Sequence, residues 1–465
     1  MSGPWAGRIR NWNGARVAVI GLARSGVAAC LFLRRRGARV VGTDLRTAAD
    51  LGGSIPGLQD AEVELSLGAY PDLAGFDAII LSPGVDPSQG PVAQAKAAGV
   101  MILPELELGA SEALGRIVCI TGTKGKSTTT MSLHAILREA GFDARAVGNI
   151  GDPITAHVDG SNAGTIFVTE ASSFQLETTR AFRPDCAIFL NLFADHLDRH
   201  PSFEAYAEAK ARIFVNQTER DAAIVNGEDP GVLDLARRTR GRVIPFRPRT
   251  APEASTKGDA AYFESGEARF KDTAVTTLFH DADVQIPGSA VRANLLAAAA
   301  AAHHLGVASE AIGKAVRRFR GVPHTFERLG EVRGVAFFND SKATTLESVE
   351  AALRSFDTPV IAIMGGRLKA GSFRSLRDAV AGRARSIYAI GESRKLIRDA
   401  LGDVCPVHEA DSLQAAVIAA HREAKPGDTI LLSPGCSSFD MFRDYAERGN
   451  TFRQAFHDLS LQGAA

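Results

Sequence analysis

The sequence predicts an α/β protein of three domains, and three observations carry that prediction. Short apolar runs recur, each closed by a glycine-containing turn and followed by helical periodicity, as in βαβ units. A chain of 465 residues is long enough for about three domains. The pattern breaks near residue 105 and again at Gly321-Val322-Pro323, a hinge-like break. The expected domains are therefore 1–105, 106–321 and 322–465.

The first domain is expected to place strands at Ala15 to Leu22, Arg39 to Leu45 and Asp77 to Pro83. The second begins at Arg116, with strands at Ile117 to Thr121, Thr165 to Glu170, Cys186 to Asn191 and Ala222 to Asn226. Helices are expected from Thr128 to Ala140 and from Phe203 to Phe214. From Ala260 to Ile286 the pattern changes to short alternating segments, read as a small antiparallel addition. The alanine-rich stretch Arg292 to Leu305 reads as a packed helix, and Ser309 as the N-cap of the next, ending near Phe319. The third domain has strands at Val335 to Asn339, Pro359 to Met364, Ser386 to Ile390 and Thr429 to Ser433, each followed by a turn and a helix.

Composition excludes several classes. Lysine plus arginine equals aspartate plus glutamate at 53 each, so no basic excess points to nucleic acid. Cys30, Cys119, Cys186, Cys405 and Cys436 form no C-x-x-C pair, and buried thiols in a reducing compartment are expected. Met1 to Asn13 has no signal-peptide core, and no stretch approaches the roughly 20 apolar residues of a membrane span. These features predict a soluble cytoplasmic protein.

The chemistry concentrates in strand-to-helix turns. Ile117 to Thr121 runs into Gly122-Thr123-Lys124-Gly125-Lys126-Ser127-Thr128 and then a helix. Such a turn aims backbone N–H groups and a helix N-terminus at one point, which suits a polyphosphate. Lys126 is placed to neutralise a transferring phosphate and Ser127 to ligate its Mg²⁺, although Ile120 stands where the full motif has its first glycine. Glu170, ending a strand, is a second candidate for that cation, since Mg²⁺ takes oxygen ligands, with an ordinary surface carboxylate as the other reading. Asp195-His196-Leu197-Asp198-Arg199-His200 reads as one imidazole on a second metal or a phosphate, or as a solvated loop.

The earlier turn Gly21-Leu22-Ala23-Arg24-Ser25-Gly26 has Ala23 where a dinucleotide fingerprint needs glycine, so NAD is not supported. A nucleotide-sugar pyrophosphate near Asp44 stays open, as does a turn that serves packing alone. In the third domain, Asn339 to Thr344, Gly365 to Lys369 and Ser433 to Phe439 follow strands and could converge on one anionic ligand, although each taken singly reads equally as a structural turn. By pattern alone, Lys210 is an ordinary solvated lysine.

These strings together resemble the Mur ligases, ATP-dependent amide-forming enzymes of bacterial peptidoglycan synthesis. The carriers are Thr121 to Thr128, Gly148-Asn149-Ile150-Gly151, Glu170 to Glu177, Asp195 to Arg199, Asn339 to Thr344, and Leu432-Ser433-Pro434 with Arg448-Gly449-Asn450. The resemblance spans nearly the whole chain. It implies Rossmann-like first and third domains around a central P-loop ATPase domain with a mostly parallel sheet. It also implies ligation of D-glutamate to UDP-N-acetylmuramoyl-L-alanine through an acyl phosphate, by a monomer using ATP and two Mg²⁺ ions. Two alternatives stand beside it: a sister ligase adding L-glutamate or another amino acid, and a catalytically weak UDP-sugar-binding relative.

The resemblance also assigns roles. Ser25, Asp44 and Ser82 contact the UDP moiety, while Asn149 and Ser172 line the muramoyl site, with His196 beside them. Gly122, Thr123, Lys124, Gly125, Lys126, Ser127 and Thr128 hold ATP, with Asn294 and Asp340 on the nucleotide. Ser127, Glu170, His196 and a carbamylated Lys210 hold the metals, and Lys126, Glu170, His196 and Lys210 form the catalytic set. Thr344, Lys369, Ser438, Phe439 and Tyr445 grip the incoming glutamate. The sequence departs from the family's usual pattern at Thr325, where arginine is usual, at Ala290-Val291 in place of His-Asn, and at Thr345 in place of asparagine. Arg320 and Arg328 are the candidates to compensate for the missing arginine.

Overall fold

The computed structural model describes residues 11–249 and 258–463. Its first sheet holds β1 (Arg16–Ile20), β2 (Arg39–Asp44), β3 (Glu64–Leu67), β4 (Ala78–Leu81) and β5 (Met101–Pro104), all parallel, in the order β3-β2-β1-β4-β5. Val17, Ala18, Val19 and Ile20 are all fully buried, as expected of a parallel strand covered on both faces by helices. Strand order reverses between β1 and β4. Their carboxyl ends are therefore the switch point where such sheets open a crevice.

The second sheet holds β6 (Arg116–Thr121), β7 (Ala144–Gly148), β8 (Ile166–Glu170), β9 (Cys186–Phe189), β10 (Ala222–Asn226), β11 (Arg242–Arg247), β12 (Ala260–Glu264), β13 (Glu267–Lys271) and β14 (Val275–His280). The order is β14-β13-β12-β11-β10-β9-β6-β8-β7. Strands from β7 across to β12 pair parallel, and β12, β13 and β14 form the expected antiparallel addition. β6 lies between β8 and β9, so the turn after it is flanked by the ends of both. The helix Ser289–His304 buries its alanine run, as predicted, whereas Ser309 is the first residue of Ser309–Arg318 rather than its cap.

The third sheet holds β15 (Glu327–Val332), β16 (Val335–Asn339), β17 (Val360–Gly365), β18 (Ala384–Ile390), β19 (Val407–Glu409) and β20 (Thr429–Leu432), in the order β15-β16-β20-β17-β18-β19. Only β15 pairs antiparallel. β20 enters between β16 and β17, which makes the three polar turns of the third domain neighbours at one edge.

Two compact units result. One carries the first two sheets, running to Asp281 and taking in Ala293–Ala315; the other comprises Ala282–Arg292 and the chain from Val316 onward. All five cysteines are buried free thiols, as expected. Among the described residues, no helix is long and apolar enough to cross a membrane.

Candidate active site

The turn after β6 is shaped by glycines where side chains cannot go. Gly125 sits at φ +88° as the cap of the helix Lys126–Glu139, and a Cβ there would fall 2.3 Å from Asn294 Oδ1. Asn294 is therefore packed against the turn, where a nucleotide contact was expected. Asn191, just beyond β9, accepts from the Thr123 and Lys124 amides at 3.0 and 2.9 Å and holds the turn open. Ser127 and Thr128 occupy the helix's first turn, with no side-chain cap in front of them.

Two lysines meet at this turn. Lys126 Nζ donates to Gly122 O and Thr123 O at 3.1 and 2.9 Å, and Lys210 Nζ donates to the same Gly122 O at 2.8 Å. Lys210 is only 2% exposed, which corrects its reading as a solvated lysine. The helix Phe203–Val215 buries Tyr206, Ala207, Lys210, Ala211, Ile213 and Phe214 on one face, and Lys210 belongs to that face. Burial, reinforced by the Lys126 charge and opposed by Asp195 and Glu170, brings its ammonium down to about 7. Its Nζ also lies 4.7 Å over the Tyr206 ring, whose hydroxyl donates to Thr123 Oγ1 at 3.1 Å.

Glu170 ends β8 in register with Ile120, beside the turn. Its Oε1 accepts from Asn149 Nδ2 at 2.7 Å, while the buried Oε2 has no hydrogen-bond partner among the described residues. A buried carboxylate oxygen left without a donor is what a hard cation would satisfy. His196 is exposed at φ +54°, its ring 5.1 Å from Phe174 and 6.4 Å from Tyr206. His200 is different: it is buried against Ser173 Oγ at 3.0 Å and serves packing. Among the described residues, no group of three His, Cys, Asp or Glu gathers as a metal cluster.

A cavity of about 430 Å³ opens at the β1/β4 switch point, lined by Ser25, Asp44 and Ser82 and, from the second sheet, Gly148, Asn149 and Gln175. Asp44 accepts from the Leu22 amide at 2.8 Å and from Arg46, whose guanidinium holds the carboxyl down at about 2. Ser82 Oγ donates to Gly21 O at 2.6 Å and closes the turn. Arg46, Tyr70 and Gln175 also line the cavity, and sequence reasoning did not select them. A basic residue two places after the strand-end aspartate was the available signal for Arg46. Ser172 does not line the cavity; its hydroxyl caps the short helix Ser173–Leu176 in a capping box with Gln175.

In the other unit, the three turns bond to one another. Arg367 and Ser437 exchange backbone hydrogen bonds at 3.0 Å, Gly435 N donates to Ala343 O at 2.9 Å, and Gly365 N donates to Pro434 O at 2.9 Å. Thr344, Lys369, Ser438 and Phe439 all lie on these turns, with Lys369 and Phe439 exposed and Ser438 buried. Tyr445 opens the helix Tyr445–Gly463. Asp340 accepts from the Phe326 amide at 3.0 Å and from Ser433 Oγ at 3.3 Å, and burial lifts its carboxyl to about 7. Thr325 keeps a buried hydroxyl without a hydrogen-bond partner among the described residues, whereas Thr345 caps the helix Leu346–Arg354.

Family models match this architecture sheet by sheet. The Mur ligase MurD-like N-terminal domain matches residues 15–104, the Mur ligase middle domain residues 120–302, and the Mur ligase glutamate ligase domain residues 325–436. The chain belongs to the Mur ligase family. One relative, the UDP-N-acetylmuramoylalanine–D-glutamate ligase of Acidobacterium capsulatum, is 40% identical over 97% of this chain and 98% of its own. The protein of the same name from Geotalea daltonii is also 40% identical, over 96% and 98%. Among solved structures, the Mur ligase fold recurs in the UDP-N-acetylmuramate-alanine ligase MurC of Thermotoga maritima. That protein has a TM-score of 0.57 at 16% identity, covering 96% of this chain and 99% of its own. The MurF ligase of Thermotoga maritima, solved with ADP, gives 0.56 at 15%, covering 97% and 96%.

Proposed function

We infer that this Mur ligase joins D-glutamate to UDP-N-acetylmuramoyl-L-alanine, with hydrolysis of ATP to ADP and phosphate, in cytoplasmic peptidoglycan precursor synthesis. The observation that carries the reading is the convergence of Lys126, Lys210 and Glu170 on the turn after β6, in a chain 40% identical to D-glutamate ligases over nearly its full length. The same cluster weighs against a relative that only binds UDP-sugars, and the names of the relatives weigh against an L-glutamate ligase.

The substrate carboxylate attacks the γ-phosphorus of ATP; a new O–P bond forms, the bond to ADP breaks, and an acyl phosphate results. Two anions must approach for this step, so the turn amides and Lys126 lower its barrier by holding the phosphates. The amine of D-glutamate then attacks the acyl carbon, a C–N bond forms, and phosphate leaves as the amine loses its proton. The cavity at the first switch point holds the UDP moiety through Ser25, Asp44 and Ser82, with Asn149 and Gln175 toward the muramoyl part. Thr344, Lys369, Ser438, Phe439 and Tyr445 receive the glutamate, and Asn294 and Asp340 the nucleotide. Domain boundaries near 105 and 321 assign one ligand to each part.

Ser127, Glu170, His196 and Lys210 hold two Mg²⁺ ions, which supply charge neutralisation on the phosphates. The orphan Glu170 Oε2 supports this fit. Lys210 serves as a carbamate: its ammonium, brought down to about 7, gives up one proton, and the neutral amine then adds to CO₂ and releases a second, so that a buried cation becomes an anion. Lys210→Ala should be inactive and partly restored by short carboxylic acids; unchanged activity would return Lys210 to a packing role. The decisive assay is phosphate release from ATP with UDP-N-acetylmuramoyl-L-alanine and either D-glutamate, L-glutamate or no amino acid. Release that depends on D-glutamate supports the assignment, and preference for L-glutamate or no release at all would overturn it.

A further inference from the structure

The loop that follows β4 forms one wall of the cavity with Ser82, Pro83, Gly84 and Val85. Asp86 comes next, half-buried and bonded into its own loop. Its Oδ1 accepts from Ser88 N and Oγ at 2.8 and 2.6 Å, and its Oδ2 from Gln89 Nε2 at 2.8 Å. The charge of Asp86 faces a group from the second sheet. Arg199 Nη2 lies 3.5 Å from Asp86 Oδ1 and 2.8 Å from Glu177 Oε1, so one guanidinium serves two carboxylates that come from different sheets.

Arg199 is equally tied to the His196 turn. Its amide donates to His196 O at 3.1 Å, closing the turn in which His196 is held at φ +54°. Its guanidinium lies 5.5 Å over the Phe174 ring, which stacks on His200 at 5.3 Å and meets the His196 ring at 5.1 Å. A bulky residue keeps a left-handed conformation only where its surroundings enforce it. Here Arg199 and Phe174 share that task with Asp195 Oδ1, which accepts from the His196 amide at 3.0 Å, and His200 N, which donates to His196 O at 2.9 Å. The electrostatics are shared in the same way: burial raises the Glu177 carboxyl, Arg199 pulls it down, and Asp86 raises it again. A shift of either carboxylate is therefore felt by the guanidinium between them.

We propose that Arg199 is a positioning residue that couples the cavity loop to the His196 turn through Asp86, so that filling the cavity also fixes His196. The proposal rests on the reading of the cavity as the UDP site. It requires that a ligand touching only the cavity change the behaviour of residues 193–200, which a purely structural Arg199 would not produce.

Hydrogen–deuterium exchange with UDP alone tests this, because UDP lacks the muramoyl part that would approach His196 directly. In the parent protein, saturating UDP should slow exchange at residues 82–86 and also at 193–200, the latter by roughly fivefold or more, the lower range of site-to-site coupling. In Asp86→Asn the retained side-chain oxygen still accepts from Ser88, so UDP should protect 82–86 while the effect at 193–200 disappears. Arg199→Ala should lose that distant protection as well, and Arg199→Lys should recover part of it. Equal protection of 193–200 in parent and Asp86→Asn would overturn the coupling, as would protection of 82–86 alone in the parent. Absence of protection at both segments in the parent would instead overturn the assignment of the cavity, and this proposal with it.

Discussion

The turns after β1 and β6 have the same local build and different charged neighbours. Each leaves a buried parallel strand at a switch point and opens a helix that no side chain caps. After β1 a buried carboxylate touches the turn: Asp44 takes the Leu22 amide at 2.8 Å and is itself neutralised by Arg46, while Arg24, which opens the helix, turns its guanidinium to Gly151 O at 2.9 Å. After β6 the nearest charges are Lys126 and Lys210, both donating to Gly122 O. A strand–turn–helix supplies the same N–H donors in both places, so the neighbouring side chains decide what is bound. The cationic turn suits a reacting polyphosphate, whereas the turn beside Asp44 offers the hydrogen-bond acceptors that a neutral base or sugar edge needs.

The largest test of this contrast is Lys126→Ala. Phosphate release should fall by roughly 10³-fold, the usual scale for losing a positioned charge in phosphoryl transfer. Calorimetric binding of the UDP-substrate should be unchanged, since Lys126 does not line the first cavity; parallel losses would erase the distinction between the turns.

Glu105→Gln probes the packing between the first and second sheets, away from both turns. Glu105 directly follows β5 and accepts from Thr155 N and Oγ1 at 2.8 and 2.7 Å, just beyond the Gly148–Gly151 loop that lines the cavity. Burial raises its carboxyl from 4.5 to about 7. The folded protein thus holds the extra proton between those values, and the stability it contributes is full below 4.5 and lost as pH rises through 7. The shift corresponds to about 3 kcal/mol. Denaturant titrations from pH 4.5 to 7 should show that slope in the parent and a flatter profile in the variant.

Gly125→Ala should cost about 1–3 kcal/mol in thermal or denaturant unfolding, because alanine at φ +88° is strained and its Cβ displaces Asn294. ATP binding should weaken with it. Asp44→Asn is the mildest change. UDP-substrate affinity should drop by about tenfold, the scale of one charged hydrogen bond, with ATP affinity unaffected. A loss confined to ATP would reverse the assignment of the two turns.

Much of this was legible in the sequence because the physics is local. A turn with Gly122, Gly125 and Lys126 after a fully apolar strand has few other uses, and Glu170 at a strand end is placed by the strand itself. What escaped reading was set by distant packing. The strands missed were mostly edges: β3, β7, β15 and β19 carry Glu64, Arg145, Glu327 and His408 on sides that need not be buried, so their apolar signal is weak. Lys210 was misread because a lysine normally marks a solvated face. Its i−4 neighbour Tyr206 and the flanking Ala207, Ala211 and Phe214 instead form the buried face of that helix, where a lysine is out of place without a function. Arg46 and Tyr70 become neighbours only when β2 pairs with β3, and Gln175 joins them only when the first and second sheets meet.

Arg448 bears on the order in which the molecule can be assembled. Fully buried, it donates through Nε to Ser341 Oγ at 3.0 Å and through its terminal nitrogens to Ser341 O at 2.8 Å and Cys436 O at 3.2 Å. It thereby ties the turn after β16, 107 residues before it in the chain, to the turn after β20. Such contacts form late, because the loop they close must be ordered first. During synthesis, the carbonyls of Ser341 and Cys436 wait for the helix Tyr445–Gly463 to emerge before their polar turns can settle. A nascent chain stalled before residue 445 would carry a finished first unit and a third sheet still open to proteases.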